Sequence, residues 1–357
     1  MTTTPFARGN PQNRIVTVSV DAMGGDLGPA AVIAGLATSA EKNPDIRFIV
    51  HGPEGTLKPL IAKRKLGDVC DVVHATGIVA MDDKPSQVMR NGKDTSMWSA
   101  ITSVKDGNAD VCVSCGNTGA LMAVSMIRLR KLPGVNRPAI GILWPSRSAN
   151  GNNVMLDVGA DVKADPQDLL QYALMGVSYA RNGFDLAKPR VGLLNVGTEE
   201  NKGRPELKDA FDLIAANADR GAYEFAGFVE GSDIPGDVVD VIVTDGFTGN
   251  VALKSAEGTA KFIREILTGA FKHSILSRAA ALLAYGPLSR LAKRIDPRRV
   301  NGGVFLGLNG TVVKSHGSAD ATGVAAAVKL AFNLAKADFN DRLAARIAMA
   351  QSDLTED

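Results

Sequence analysis

The sequence predicts an α/β protein in which a mostly parallel sheet is covered by helices on both faces. Short β-rich runs alternate with longer helical patterns along almost all of the chain, which is the order expected of βαβ units. The strand-like runs are nearly continuous in apolar residues, as strands buried on both faces are. With 357 residues, 45% hydrophobic and 22% charged, the chain has a globular composition and can bury a large core.

Each predicted element follows from this alternation. The predicted strands are Ile15–Val20, Ile46–Val50, Val69–Val73, Asp110–Ser114, Ala139–Trp144, Val154–Val158, Val191–Val196, Glu224–Val229 and Val238–Thr244, with a strand-like run at Gly310–Val313. The predicted helices are Ala30–Ala40, Ser96–Lys105, Thr118–Leu129, Pro166–Arg181, Glu206–Ala218, Asn250–Ala270 and Ala321–Ala335. No repeat or low-complexity linker interrupts the series. We therefore expect one domain over residues 14–348, preceded by a loose polar tail over residues 1–13.

Bulk composition excludes several classes of protein. The net charge of +2 and the 5% aromatic content argue against a nucleic-acid-binding surface. Three cysteines are too few for a disulfide framework and suit a reducing cytoplasm. The first residues lack the apolar core of a signal peptide, and no apolar run is long enough to span a membrane. The expected location is the cytoplasm, with any membrane contact peripheral.

The loop after the first strand has the parts of an anion site. Asp21 is followed by the adjacent glycines Gly24 and Gly25, then by Asp26 and, at the start of the next helix, Pro29. Glycine allows backbone to come close to a small ligand, proline fits the first helical turn, and helix-start amides can face an anion. The spacing matches neither GxGxxG nor GxxxxGK[ST], so this loop does not predict a nucleotide site.

A second strand end carries Asn117, Thr118 and Gly119 before an apolar helix. Asn117 and Thr118 are good N-cap residues, and the amides at this point could bind phosphate or stabilise an oxyanion.

Two further strand ends supply cations and more glycine-rich loops. One carries Lys202, and the other carries Asp245, Thr248 and Asn250 and opens a helix with Lys254. Any one such loop is explained by turn and cap chemistry alone, and a lone lysine is by default a solvated surface residue. Four such loops at strand ends of one sheet favour a shared binding site, since ligands of α/β folds bind beyond these ends.

Histidine and cysteine add one candidate and exclude one class of site. His316 follows a strand-like run and precedes Asp320 at a helix start, which makes it a candidate general acid or phosphate contact. Cys112 and Cys115 lie in a strand and its exit, where residues three apart point to opposite faces, and no second pair completes a zinc site. We interpret them as buried apolar residues and predict no metal.

Residues 272–299 form a basic segment that predicts a protruding amphipathic helical hairpin broken at Gly286-Pro287. In its second half the apolar face is Leu288, Leu291 and Ile295, and the basic face is Arg290, Lys293 and Arg294. Such a hairpin can lie on anionic lipid or dock an acidic protein. An ordinary surface or dimer helix pair explains it equally well.

Taken together, these motifs resemble the phosphate acyltransferase family of bacterial phospholipid synthesis, the PlsX family. The motifs are DAMGGDLGP from Asp21, SCGNTGALM from Ser114, LDVGA from Leu156, RVGLLNVGTEENKG from Arg190, TDGFTGNVALK from Thr244 and KSHGSAD from Lys314. The resemblance covers Val18 to Lys336. The chain departs from the family at Cys115, where a small residue is usual, and at Val300–Val304, where many members have a Tyr-Gly-Gly-Ala-like run.

The resemblance implies acyl transfer from acyl carrier protein to inorganic phosphate, without a cofactor, giving acyl phosphate for a downstream glycerol-phosphate acyltransferase. It also implies an isopropylmalate dehydrogenase/phosphotransacetylase-like fold, a homodimer and peripheral contact with anionic membrane. Phosphate is itself the nucleophile, so the protein must bind it, position the thioester and stabilise the oxyanion.

Our assignment of roles follows from that chemistry. Backbone amides of Gly24, Gly25 and Asn117–Gly119 bind phosphate or the oxyanion, Lys202 and His316 add positive charge, and three acids orient partners. The acids are Asp21, Asp26 and Asp245, and bracing of the glycines is the preferred role for the first two because an acid repels phosphate unless paired.

Two other functions remain open from the residues alone. A decarboxylating NAD-dependent dehydrogenase of the same fold would need a dinucleotide site and a metal-binding carboxylate cluster. A non-catalytic peripheral membrane protein would use the basic segment as its functional part.

Overall fold

The computed structural model describes residues 14–199, 202–289 and 302–352, which fall into two compact units. Unit 1 contains residues 14–138 and 302–352, and unit 2 contains residues 139–199 and 202–289. The single-domain boundaries of 14–348 stay a prediction.

Strands and helices alternate along the chain as predicted. The strands are β1 Val16–Asp21, β2 Ile46–Gly52, β3 Cys70–His74, β4 Val111–Ser114, β5 Ala139–Pro145, β6 Asn152–Leu156, β7 Arg190–Leu194, β8 Glu224–Val229, β9 Val241–Val243, β10 Gly303–Leu306 and β11 Thr311–Lys314. The helices are α1 Gly28–Ala40, α2 Glu54–Lys63, α3 Pro85–Asn91, α4 Ser96–Lys105, α5 Thr118–Arg128, α6 Pro166–Phe184, α7 Pro205–Ala216, α8 Ala218–Gly221, α9 Gly246–Lys272, α10 Ile275–Leu283, α11 Ala321–Lys336 and α12 Phe339–Ser352.

The strands of unit 1 lie in the order β3-β2-β1-β4-β11-β10. All neighbours are parallel except the antiparallel pair β10 and β11. Every residue of β4 is buried, and because successive side chains of a strand point to opposite faces, both faces of the sheet are covered here. Helices α4 and α11 both pack on β1 and β4. Gly35 of α1 lets that helix approach Val324 of α11, since a Cβ there would lie 2.6 Å from the valine.

The strands of unit 2 lie in the order β5-β6-β9-β7-β8, with β5 and β6 antiparallel and the other neighbours parallel. Helix α6 packs on β6 and β9. Its start is fixed by a capping box in which Asp165 and Asp168 each accept from the other's backbone N–H, at 2.8 and 3.2 Å. The predicted class, a mostly parallel α/β fold, is confirmed.

The structure adds elements that the sequence patterns did not indicate. They are α2, α3, α8, α12 and β10. Helix α2 contains Pro59 as the sixth of its ten residues, a position where proline lacks the N–H that would donate within the helix. Among the described residues, no helix is both long and apolar enough to cross a membrane.

Two of the predicted boundaries that differ from the structure bear on the predicted site residues and on the basic segment. Helix α9 begins at Gly246 and not at Asn250, so Thr248 and Asn250 lie in its first turns, not in a loop. The helical hairpin does not break at Gly286-Pro287: α10 ends at Leu283, a turn follows at Ala284, and residues 285–289 are again helical. Proline is tolerated there because it falls within the first turn of the new helix.

Candidate active site

Three neighbouring strands of unit 1 end in one polar row. Asp21 of β1 is in register with Ser114 of β4, which is in register with Lys314 of β11. Residues paired in this way on parallel strands lie side by side on the same face of the sheet. All three are at least nine-tenths buried, with exposures of 2%, 1% and 9%, so the row lies beneath the loops that leave these strands.

Asp21 braces two of those loops. Its Oδ1 accepts from Ser96 Oγ at 2.7 Å and from the Met23 backbone N–H at 3.3 Å, and its Oδ2 accepts from Ser114 Oγ at 2.7 Å. Ser114 Oγ in turn accepts from the Gly116 N–H at 3.0 Å. Burial raises the pKa of the Asp21 carboxyl, and the hydrogen bonds from Ser96 and Ser114 oppose that rise. This arrangement suits the bracing role and leaves little of the carboxylate for a substrate.

The loop glycines allow the loops to touch. A Cβ on Gly24 would lie 2.6 Å from the Gly116 nitrogen, and one on Gly25, which has φ +100°, would lie 2.9 Å from Cys115 Cβ and 3.0 Å from the Gly317 carbonyl oxygen. The neighbouring Asp26 N–H donates to that Gly317 oxygen at 2.7 Å. The loops after β1, β4 and β11 are therefore in direct backbone contact, which a larger side chain would prevent.

Asn117 has its side chain fully engaged. Its Oδ1 caps α5 by accepting from the Ala120 N–H at 3.0 Å, and its Nδ2 donates to the carbonyl oxygens of Met81 and Asp83, each at 2.9 Å. Thr118 and Gly119 follow in the exposed first turn of the helix. Their N–H groups belong to the set that has no acceptor within the helix, so the first turn of α5 can bind an anion.

His316 is exposed at the edge of the same cluster. Its Nδ1 lies 2.9 Å from Ser318 Oγ and accepts from the Ser318 backbone N–H at 3.3 Å. A ring nitrogen that accepts from a backbone N–H carries no proton itself, so the neutral ring carries its proton on Nε2. The side chain can thus donate a hydrogen bond from Nε2.

Lys314 is the cation that sequence reasoning missed. Its Nζ donates to the Cys115 carbonyl oxygen at 3.3 Å and to the Ser315 carbonyl oxygen. It therefore ties together the chains that leave β4 and β11. Ser96 was also missed, because it lies in none of the motifs. Its role depends on the packing of α4 on β1. The signals for Lys314 were its position at the end of an apolar run and its place as the first residue of the KSHGSAD motif.

Unit 2 has its own cluster at the ends of β6, β7 and β9. Asp245 is 3% exposed; it caps α9 by accepting from the Thr248 N–H at 2.8 Å and pairs with Arg204. Asp157 is fully buried and accepts from four backbone N–H groups, including those of Ile140 at 2.9 Å and Asp161 at 2.6 Å. Burial raises the pKa of the Asp157 carboxyl, and these hydrogen bonds oppose the rise. Both acids are structural braces by geometry.

The predicted cations of unit 2 are exposed and paired. Lys202 Nζ lies 2.8 Å from Glu199, and this hydrogen bond raises the pKa of the lysine. Lys254 lies further along α9 and pairs with Glu257 at 2.8 Å. Asn250 is exposed in α9 beside Gly159, where a Cβ would lie 3.0 Å from its Nδ2.

The predicted site residues thus lie in both units. Unit 1 brings together Asp21, Gly24, Gly25, Asp26, Asn117, Thr118, Gly119 and His316, hereafter the unit 1 cluster. Unit 2 holds Lys202, Asp245, Thr248, Asn250 and Lys254. Of the predicted membrane or partner contacts, Leu288 is half-buried in the helical residues 285–289. Arg290, Leu291, Lys293, Arg294 and Ile295 lie outside the described residues.

The three cysteines are free and buried. Burial raises the pKa of the Cys112 and Cys115 thiols, so neither is set up as a nucleophile. Within the described ranges, no group of three or more His, Cys, Asp or Glu side chains could hold a metal ion.

Solved structures with a similar fold include two bacterial phosphotransacetylases. The EutD phosphotransacetylase of Staphylococcus aureus aligns with a TM-score of 0.56 at 15% identity, covering 93% of this chain and 96% of that one. The phosphotransacetylase of Streptococcus pyogenes aligns with a TM-score of 0.60 at 17% identity, covering 90% and 94%. At these identities the likeness concerns the fold, and the predicted phosphotransacetylase-like fold is confirmed.

Closer relatives carry a shared name. A protein of Ruegeria sp. named phosphate acyltransferase is 70% identical over 347 residues, covering 96% of this chain and 92% of that protein. One of Paracoccus denitrificans with the same name is 68% identical over 349 residues, covering 98% and 94%. The family model described as fatty acid synthesis protein matches residues 16–342. This chain therefore belongs to that family, and the resemblance that its motifs predict is confirmed.

Proposed function

We propose that this chain transfers an acyl group from acyl carrier protein to inorganic phosphate and releases acyl phosphate. It is an acyltransferase of lipid biosynthesis, in keeping with the family match and with the name of its relatives. The observation that carries the proposal is the first turn of α5. There exposed N–H groups at Thr118 and Gly119 stand beside two glycine-rich loops held in backbone contact.

The reaction needs little from side chains. A phosphate oxygen attacks the thioester carbonyl carbon, the carbonyl oxygen becomes an oxyanion, and the C–S bond breaks to release a thiolate. Because phosphate supplies the nucleophile and the thiolate is a stable leaving group, binding, orientation and oxyanion stabilisation carry the catalysis. Fixed backbone N–H groups suit this work, because they do not reorganise when charge develops.

We assign two roles to the polar residues of the unit 1 cluster: binding of phosphate or the oxyanion, and positioning of the groups that bind them. Thr118 and Gly119 contact phosphate or the oxyanion through their N–H groups, and His316 donates from Nε2 to the same charge. Asp21 and Asn117 are positioning residues, because their hydrogen bonds to loops and to the start of α5 use most of their capacity.

For unit 2 we propose that Lys202 supplies positive charge and that Asp245 and Thr248 orient the start of α9. Lys202 is exposed and bonded to Glu199, so it can exchange that partner for an anion at modest cost, since exposed ion pairs contribute little stability. Asp245 and Thr248 hold the start of α9, which fixes where Asn250 and Lys254 stand.

The proposal is tested by supplying acyl carrier protein thioester and inorganic phosphate without nucleotide or added metal. We expect acyl phosphate and free carrier-protein thiol to appear in equal amounts, and both to depend on phosphate. Thiol release that is independent of phosphate indicates hydrolysis and contradicts the proposal. Activity that requires NAD indicates a dehydrogenase.

Replacement of Asn117 or of Lys202 by alanine should reduce kcat by at least about tenfold, which corresponds to about 1.4 kcal/mol of transition-state stabilisation. The fold should survive, since loss of an N-cap costs about 1 kcal/mol. Lys58→Ala is the matched control, because Lys58 is likewise an exposed lysine paired with a nearby glutamate, Glu54. Wild-type turnover in both Asn117→Ala and Lys202→Ala contradicts the assignment.

We also propose a cytoplasmic homodimer that contacts anionic membrane peripherally and passes acyl phosphate to a downstream glycerol-phosphate acyltransferase. Support for membrane contact comes from α10, whose apolar side chains face solvent in the single chain. The exposures of Ile275, Leu276, Leu282 and Leu283 are 85%, 84%, 78% and 90%. The helix also carries Arg278, which suits a negatively charged surface.

Exchange of Leu282 and Leu283 together for glutamate should weaken binding to vesicles containing anionic lipid by more than about tenfold. The reason is that burial of each leucine side chain in the membrane contributes up to about 3 kcal/mol to binding. In addition, the anionic lipid repels the new glutamate charges. Vesicle flotation measures the bound fraction. Val162→Glu is the control, because Val162 is an apolar residue of unit 2 that is 65% exposed outside α10. If flotation of the double variant equals that of wild type, α10 is not the contact.

A further inference from the structure

Two exposed apolar residues, Met81 and Leu27, adjoin the loop after β11, the first through its side chain and the second through the backbone of its neighbour, and none of the roles assigned above uses them. Met81 is 44% exposed, and its Cε is so near Gly317 that a Cβ there would lie 2.7 Å away. Leu27 is 55% exposed and directly follows Asp26, whose N–H donates to the Gly317 carbonyl oxygen. The Met81 side chain therefore reaches this loop of the unit 1 cluster, and the backbone next to Leu27 is bonded to the same loop.

The backbone that carries Met81 is anchored to the start of α5. Asn117 Nδ2 donates to the carbonyl oxygens of Met81 and Asp83. A Cβ on Gly119 would lie 3.0 Å from Pro85 Cγ, which places the proline against the first turn of the helix. The main chain at Met81 is thus fixed by Asn117, which caps the helix turn proposed to hold the anion, while the Met81 side chain stays exposed. A flexible thioether on a fixed backbone is well suited to an apolar ligand of variable shape.

We propose that Met81 and Leu27 contact the acyl chain of the thioester and set the chain-length preference. The inference rests on the proposed function, because an acyl chain leaves the carbonyl carbon where the polar loops hold it and needs an apolar surface next to them. Each methylene fully removed from water strengthens binding by about fourfold. Two side chains of this size can therefore separate long from short acyl groups.

The test measures binding first, without phosphate, so that no transfer occurs. Palmitoyl and butyryl thioesters of acyl carrier protein are titrated calorimetrically into wild type, Met81→Ala, Leu27→Ala and the control Met89→Ala. Met89 is also an exposed methionine, 37% exposed, but it lies on α3. The carrier protein is the same in both ligands, so the ratio of their affinities reports the acyl chain alone.

We expect Met81→Ala and Leu27→Ala each to lower the palmitoyl-to-butyryl affinity ratio by about tenfold or less, and Met89→Ala to leave it unchanged. A wild-type ratio in both test variants overturns the inference. Phosphate is then added to the same samples. If the ratio falls in the variants as expected but wild type forms no acyl phosphate, the proposed function fails while the acyl contact stands.

Discussion

Replacing Gly249 by alanine is expected to destabilise unit 2 by about 3 kcal/mol, the upper part of the range for overpacked sites. Gly249 lies in the first turn of α9, and a Cβ there would fall far inside van der Waals distance of the Asp157 carbonyl oxygen. The clash is between Cβ, whose position the backbone fixes, and a backbone oxygen, so no side-chain rotation relieves it. Helix α9 must move away from the chain after β6, and the cap at Asp245 would be strained as a result.

Urea unfolding followed by circular dichroism measures the change. Gly258→Ala is a matched control, because Gly258 lies in the same helix and a Cβ there meets nothing within 4 Å. That variant should gain up to about 1 kcal/mol, since alanine is the better helix former. Equal unfolding midpoints for Gly249→Ala and wild type would show that α9 begins elsewhere or packs less closely.

Gly249 also shows what the sequence could and could not predict. Glycines after a strand indicate a loop, and the pattern from Asp245 to Asn250 was interpreted in that way. In the structure Gly246 and Gly249 lie inside α9, and both face the chain around Asp157 and Asp161. A glycine needed for close approach and a glycine needed for a turn look the same in one sequence. The start of α9 was therefore misplaced by four residues.

The fold itself was largely predictable, because buried parallel strands are apolar throughout and such runs stand out between helical patterns. Elements with weak periodicity were missed. Helix α3 has seven residues, and β10 has four and pairs on one side with its antiparallel neighbour β11. Such short segments owe their structure to packing and not to local propensity.

The site was predictable as a set of strand ends but not as a set of roles. The motifs identified Asp21 and Asn117, since acid and amide residues at strand ends are conspicuous. Their roles depend on partners distant in sequence: Ser96 for the first, and the carbonyl oxygens of Met81 and Asp83 for the second. Contacts of this range are set by the packing of helices on the sheet, which no local pattern contains.

Acidification is expected to destabilise unit 1 through His51. This side chain is fully buried; its Nε2 lies 2.9 Å from Ser19 Oγ and 3.3 Å from Ser103 Oγ, and its Nδ1 lies 2.8 Å from Ser99 Oγ. The histidine thus joins β2, β1 and α4 through neutral hydroxyl groups. Burial lowers the pKa of His51 to about 4, from the usual value of about 6.5 in an unfolded chain.

The direction of the effect follows from proton binding. Above about pH 6.5 the ring is neutral in both states and contributes no pH dependence. Between about pH 6.5 and about pH 4 the unfolded chain binds a proton that the folded chain does not, so the free energy of unfolding falls as the pH falls. The loss reaches about 3 kcal/mol below that range. Asp21, whose pKa is raised by burial, acts in the opposite direction.

A comparison of wild type with His51→Gln separates the histidine from Asp21 and all other titrating groups. The free energy of unfolding is measured by urea titration for both proteins at about pH 7.5 and about pH 4.5. Glutamine keeps polar contacts to the serines but does not titrate. Wild type should therefore lose about 2–3 kcal/mol more than the variant between the two conditions. If the two proteins lose the same amount, the His51 ring is protonated in the folded state, and the buried hydroxyl groups around it must be accommodating its charge.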